Sequence, residues 1–73
     1  MTLRQDIIET AARAARLGRA PVDSTWLAEW LECSGAASGV ARRHGLDREG
    51  LQSAVDRLSW LRLVSAVNSA ANP

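Results

Sequence analysis

Few side chains in this sequence are able to do chemistry, and their spacing decides what they can do. There is one histidine, His44, and one cysteine, Cys33, against eight carboxylates. Neither His44 nor Cys33 has a carboxylate or a nucleophile at recognisable catalytic spacing, and Glu29 with Glu32 reads as a solvated face, not an acid–base pair. His44 reads as a helix-end residue favoured by the helix dipole, and Cys33 as an inert small residue at another helix end. A lone cysteine excludes an intrachain disulfide and the four-ligand zinc sites built on cysteine pairs. All nine basic residues are arginine, which excludes a Walker-type phosphate lysine and a Schiff-base lysine. With no catalytic constellation left, the expectation is a protein that is not an enzyme and uses no cofactor or metal.

Binding chemistry has two candidate sets. Trp26 and Trp30 stand at i and i+4, so their indoles cover adjacent surface on one helix face. They either extend the core stripe of Leu27 and Leu31, or exceed what so small a core buries and anchor a partner, as large aromatics do at interfaces. Trp60 fits either role. The second set is Arg48, Gln52 and Arg57, the polar face of a would-be recognition helix. Ala41, Gly45, Leu46 and Leu51 have the spacing of a helix-turn-helix, with Val40 and Ala54 at flanking core positions; small residues there let two helices close around a tight turn. The same face also carries Asp47, Glu49 and Asp56, a poor surface for the major groove. The net charge of +1 gives no general excess for phosphate binding. Arg42 and Arg43 read as a surface charge pair.

These residues need helices to position them. The capping-box pair Thr2 and Gln5 opens a helix over 2–17, with Leu3, Ile7, Ala11 and Ala14 on one face and Gly18 at its C-terminal cap. Arg13 and Arg16 suit the negative end of its dipole. "GRAPVDS" is a loop. Asp23 or Ser24 caps a second helix running to about Glu32, whose stripe is Trp26, Leu27, Trp30 and Leu31. "CSG" ends it, and a short third helix over about 36–44 stops at Gly45. Asp47 caps a fourth, with Leu51, Ala54, Val55, Leu58 and Leu61 as its apolar face. Nothing between Gly50 and Pro73 forces a break, so this helix reads as continuing to about Val67, although "LRLVSAV" is also tolerable as a strand. The tail "NSAANP" reads as frayed.

The fold class expected is therefore all-α, a small bundle of four to five helices: one domain over 1–69 and a frayed tail over 70–73. At 73 residues and 47% apolar, much of it alanine, the core is modest and stability marginal, or shared with a second copy. No run approaches the ~18 apolar residues of a membrane span. Asp6 and Glu9 interrupt the apolar spacing of the N-terminus, which is wrong for a signal peptide. The setting expected is soluble and cytoplasmic, with no membrane partner.

Taken together, "AARAARLG" (11–18), Val22, "STWLAEWL" (24–31), "GAASGVA" (35–41) and "GLDREGLQSAVDRL" (45–58) resemble one repeat of the Clp N-terminal domain family. The likeness covers about residues 3–58 and lacks the ATPase modules that follow this domain in Clp unfoldases. It implies that "HGLD" is the turn into the last helix of the repeat. It also implies a non-catalytic protein- or peptide-binding module, acting as adaptor, decoy or regulator of Clp-type proteolysis. The partner would be a Clp ATPase component, an adaptor or a peptide substrate, held near the start of the second helix by Ser24, Thr25, Trp26 and Trp30. Thr25 stands where some members carry a glutamate that contributes to binding phosphorylated arginine, so that role is not carried over. The family pairs two repeats; a single repeat implies a homodimer that rebuilds the pair. Nucleic-acid binding through Arg48, Gln52 and Arg57 is the alternative.

Overall fold

Each helix begins where a short polar side chain can satisfy the orphan N–H groups of a first turn. In the computed structural model, which describes residues 1–19 and 21–72, five such starts give five helices and, among the described residues, no strand. The fold is all-α, a small bundle.

α1 (Leu3–Gly18) opens with the capping box expected: the Thr2 hydroxyl accepts from the Gln5 N–H, and the Gln5 carboxamide accepts from the Thr2 N–H. It runs one residue further than the sequence predicts, because Arg19, not Gly18, takes the left-handed conformation at its C-terminal cap, with φ 53°. Its buried face is also turned from the expected one. Ile7 and Ala11 are fully covered, but Asp6, Ala12 and Ala15 join them while Leu3 and Ala14 are only half-buried. Of the loop after α1, Ala20 lies outside the described residues.

α2 (Ser24–Cys33) is capped by Asp23, whose carboxylate accepts from the Trp26 N–H at 2.8 Å. Ser34 then serves both as its C-terminal cap and as N-cap of α3 (Gly35–Arg43). α3 ends in a Schellman turn. The Leu46 N–H reaches the Ala41 carbonyl at 2.8 Å and the Gly45 N–H the Arg42 carbonyl at 3.1 Å, with Gly45 at φ 70°. That backbone favours a residue without Cβ, so the glycine marks the α3–α4 corner as the sequence indicates.

α4 (Arg48–Asp56), capped by Asp47, is where expectation and structure part. It does not continue to Val67, and "LRLVSAV" is not a strand. The chain tightens at Arg57 and Leu58, whose N–H groups bond to the Ala54 and Val55 carbonyls. Ser59 then caps a separate helix, α5 (Trp60–Ala71). Leu61, assigned above to the buried face of the fourth helix, is 80% exposed. The physical reason lies in α5's own apolar pair: the bend brings Leu63 and Val67 into the core, chiefly against α1, which a straight continuation of α4 would not do. Residues 68–71 are the last turn of α5, Asn72 is its cap, and Pro73 lies outside the described residues.

α1 packs mainly on α5 and α3, α2 bridges α3 and α5, and α4 leans on α3. Ile7, Leu27, Leu51, Leu63, Val40, Val55 and Val67 are the large side chains fully removed from water. Alanines fill much of the space between helices (Ala11, Ala12, Ala37, Ala41), which allows close approach but adds little transfer energy per residue. Among the described residues no helix is long and apolar enough to cross a membrane.

Candidate functional site

The first turn of α2 presents the residues that the sequence singles out for a partner. Ser24 and Thr25 are exposed, and the Asp23 cap fixes the backbone beneath them. Trp26 is half-buried, and its ring stacks on Trp30 with centroids 6.3 Å apart and planes 13° from parallel. At that separation near-parallel rings are offset, the arrangement indole quadrupoles favour. The two tryptophans differ in environment. Trp30 is a core residue, 8% exposed, and its indole N–H is buried with no hydrogen-bond partner. Trp26 keeps part of its ring in water and is held flat by the ring behind it. Of the four residues Ser24, Thr25, Trp26 and Trp30, three offer surface and the fourth is their support.

The alternative set is placed differently. The Arg48 guanidinium is turned inward over the end of α2, where it donates to the Leu31 carbonyl at 2.8 Å, the Ser34 carbonyl at 3.2 Å and the Ser38 hydroxyl. It therefore supplies a donor to the Leu31 carbonyl at the end of α2 and shares the Ser34 carbonyl with the Ser38 N–H. Gln52 donates to Asp56 one turn on, at 3.2 Å. Arg57 is exposed just past the end of α4. The three do not form an open basic row.

A further polar cluster joins residues far apart in sequence. Asp6, buried in α1, accepts from Arg43 through both carboxylate oxygens: from Nη2 at 2.9 Å and from Nε at 3.0 Å. Thr10 donates to the same carboxylate at 3.3 Å, and His44 Nε2 lies 3.0 Å from Oδ2. The Arg43 fork outweighs desolvation and, helped by His44, pulls the Asp6 carboxyl down to about 2; in turn Asp6 raises the Arg43 pKa. An ionised carboxylate can only accept, so His44 Nε2 carries the proton that points at it, which sets the tautomer of the ring when neutral. His44 is thus more than a helix-end residue, and Arg43 is not half of a solvated charge pair. Among the described residues no nucleophilic side chain is hydrogen-bonded to His44. What the cluster does is fasten α1 to the end of α3. The signal for it in the sequence was Asp6 itself, a charge standing next to Ile7 on a face that must be buried. Cys33, the last residue of α2, is exposed.

No protein-family model matches this chain, and neither does any curated protein or solved structure.

Proposed function

We propose that this protein is a non-catalytic protein- or peptide-binding module, working as the resemblance to Clp N-terminal domains implies: an adaptor, decoy or regulator of Clp-type proteolysis. The observation that carries the reading is Trp26. A large aromatic ring, partly exposed to water and already stacked on a buried second ring, loses little side-chain entropy when a partner covers it. The exposed hydroxyls of Ser24 and Thr25 beside it offer hydrogen bonds at the rim. The helix-turn-helix alternative draws support from the tight Gly45 corner between α3 and α4, but Arg48 and Gln52 direct their donors within the protein. The resemblance further implies paired repeats, and we extend the proposal to a homodimer; a monomeric mass by light scattering at micromolar concentration would remove that part.

The test is titration of a purified Clp-type ATPase, and separately of a set of unstructured apolar peptides, into the wild-type protein and into Trp26→Ala, following tryptophan emission and heat. The expected result is saturable binding to at least one of them that falls at least tenfold in Trp26→Ala, as truncating an interface anchor does, while the variant keeps its helical circular dichroism. Absence of binding to both, or binding indifferent to Trp26, overturns the reading. Salt-sensitive capture of duplex DNA in its place would hand the function to α4.

A further inference from the structure

The C-terminal half of α1 carries Arg13 and Arg16, and its cap is Arg19, so three arginines follow at intervals of three. The step of three from Arg13 to Arg16 climbs about 4.5 Å and turns the helix by all but a sixth of a circle, so those two stand on neighbouring strips of one face, and Arg19 follows at the left-handed cap. All three are exposed, and no Asp or Glu side chain among the described residues lies within ion-pair distance of any of them. Cations near a helix C-terminus are often there for the dipole alone. Two observations go beyond that. Arg16 donates through Nη1 to the Ala70 carbonyl of α5 at 2.9 Å, which fixes its guanidinium at the seam between the two helices with further N–H groups unspent. Beside it lies an open groove of about 480 Å³ lined by Ala15, Arg16, Arg19, Val22, Asn68 and Asn72 among others. A second hollow, sharing Arg16, carries it back along α1 past Arg13 to Glu9.

We propose that this groove is a docking surface for an acidic peptide segment bound in extended form. Alternate side chains of an extended strand lie about 6.6 Å apart on one side, a spacing that neighbouring arginine heads on their flexible stems can match. The guanidinium fork pairs with a carboxylate through two parallel hydrogen bonds. Alanines in the lining (Ala12, Ala15, Ala70, Ala71) leave room for a backbone between the helices. Both α1 and α5 end at the groove and turn their negative dipole ends toward it, and Glu9 stands in the second hollow; these oppose an anion, and the guanidinium forks of Arg13, Arg16 and Arg19 are what must outweigh them. This surface does not depend on the role of Trp26.

The experiment is fluorescence anisotropy of fluorescein-labelled hexaglutamate titrated with the full chain at low and at physiological ionic strength, with labelled hexathymidylate in parallel. The expected result is saturable binding of hexaglutamate that weakens about threefold in Arg16→Ala and in Arg19→Ala, and about tenfold in the double variant, as loss of exposed charge pairs does. Arg57→Ala and Arg62→Ala, which remove arginines outside the groove, change it by less than about twofold. Circular dichroism of each variant keeps loss of fold distinct from loss of binding, and Arg16→Lys, which keeps the charge and removes the fork, should fall between wild type and alanine. No saturable binding, an equal loss in the Arg57 or Arg62 variants, or tighter binding of hexathymidylate overturns the proposal.

Discussion

Asp6 offers the sharpest test of how this small bundle is held. Its carboxyl titrates at about 2 in the folded chain against an ordinary value of 3.8. A gap of nearly two units, at about 1.4 kcal/mol per unit, corresponds to about 2 kcal/mol of stability. The Arg43 side chain is 55% exposed, so water screens part of the pairing and about 1–2 kcal/mol is the figure to expect. A carboxyl whose folded value is depressed contributes in full above its unfolded value, and the contribution drains away as pH falls through 3.8 toward 2. The other carboxylates, among them the caps Asp23 and Asp47, titrate over the same range, so acid lability alone would prove nothing about Asp6. Asp6→Asn isolates it. Urea unfolding followed by circular dichroism, at pH 6.5 and again at pH 2.5, should show the variant about 1–2 kcal/mol weaker than wild type at the higher pH, and the difference shrinking by most of that amount at the lower. For a domain of about 73 residues this is a melting shift of roughly 4–8 °C per kcal/mol, and a large share of a total stability of about 4–11 kcal/mol. Equal acid sensitivity in the two proteins, or a variant within about 0.5 kcal/mol of wild type at pH 6.5, would refute the view that the Asp6 carboxylate holds α1 against α3.

Other perturbations separate the remaining elements. Arg48→Ala should cost about 1–2 kcal/mol despite the exposure of the residue, because the Leu31 carbonyl and the Ser38 hydroxyl lose this donor while the Ser34 carbonyl keeps only the Ser38 N–H; thermal melting checks it, and Arg48→Lys should recover only part. Arg19→Gly relieves a left-handed backbone at a non-glycine residue and should raise the melting temperature by a few degrees, corresponding to about 0.5–1 kcal/mol, while weakening hexaglutamate binding in the anisotropy assay, so stability and binding move in opposite directions. Trp30→Ala should cost about 3–5 kcal/mol, a third or more of the total, and lower the urea midpoint followed by circular dichroism accordingly. Trp30→Phe removes an unpartnered buried N–H and should recover much of that loss in urea titrations.

What was legible in the sequence was what is decided locally. The capping box at Thr2, the Asp23 and Asp47 caps, and the glycine corner at Gly45 each depend on residues within one or two turns, and each forms as the residue types require. The α4–α5 break was not legible, since Leu58 and Leu61 are spaced as neighbours on one continuous helix face and no proline or glycine interrupts them. The bend belongs to a tertiary demand, that Leu63 and Val67 reach the core beside α1, and Ser59 merely supplies a cap where the chain turns. The alternative site failed to open up for a similar reason: the carbonyls that engage Arg48 lie on α2 and its corner, 14 and 17 positions away. The Asp6–Arg43–His44 cluster spans 37 and 38 positions, a distance over which spacing says nothing and only the packing of α1 on α3 brings the groups together. Trp26 and Trp30, indistinguishable by pattern, are divided by how far along α2 the core extends.

The pairing of α1 with α5 also bears on how the chain reaches this state. Contacts of α2 with α3 and of α3 with α4 close short loops and can form early. The principal cover of α1 arrives only when α5, more than 40 positions on, returns to it. Closing so long a segment costs entropy before Ile7, Ala11, Leu63 and Val67 gain anything from meeting. During synthesis α1 therefore leaves the ribosome with its apolar stripe uncovered and waits for most of the sequence to follow. The local α2–α3 and α3–α4 contacts should form the nucleus and α5 dock after it, so substitutions at Leu63 or Val67 should chiefly accelerate unfolding, and those at the α2–α3 and α3–α4 corners should slow folding.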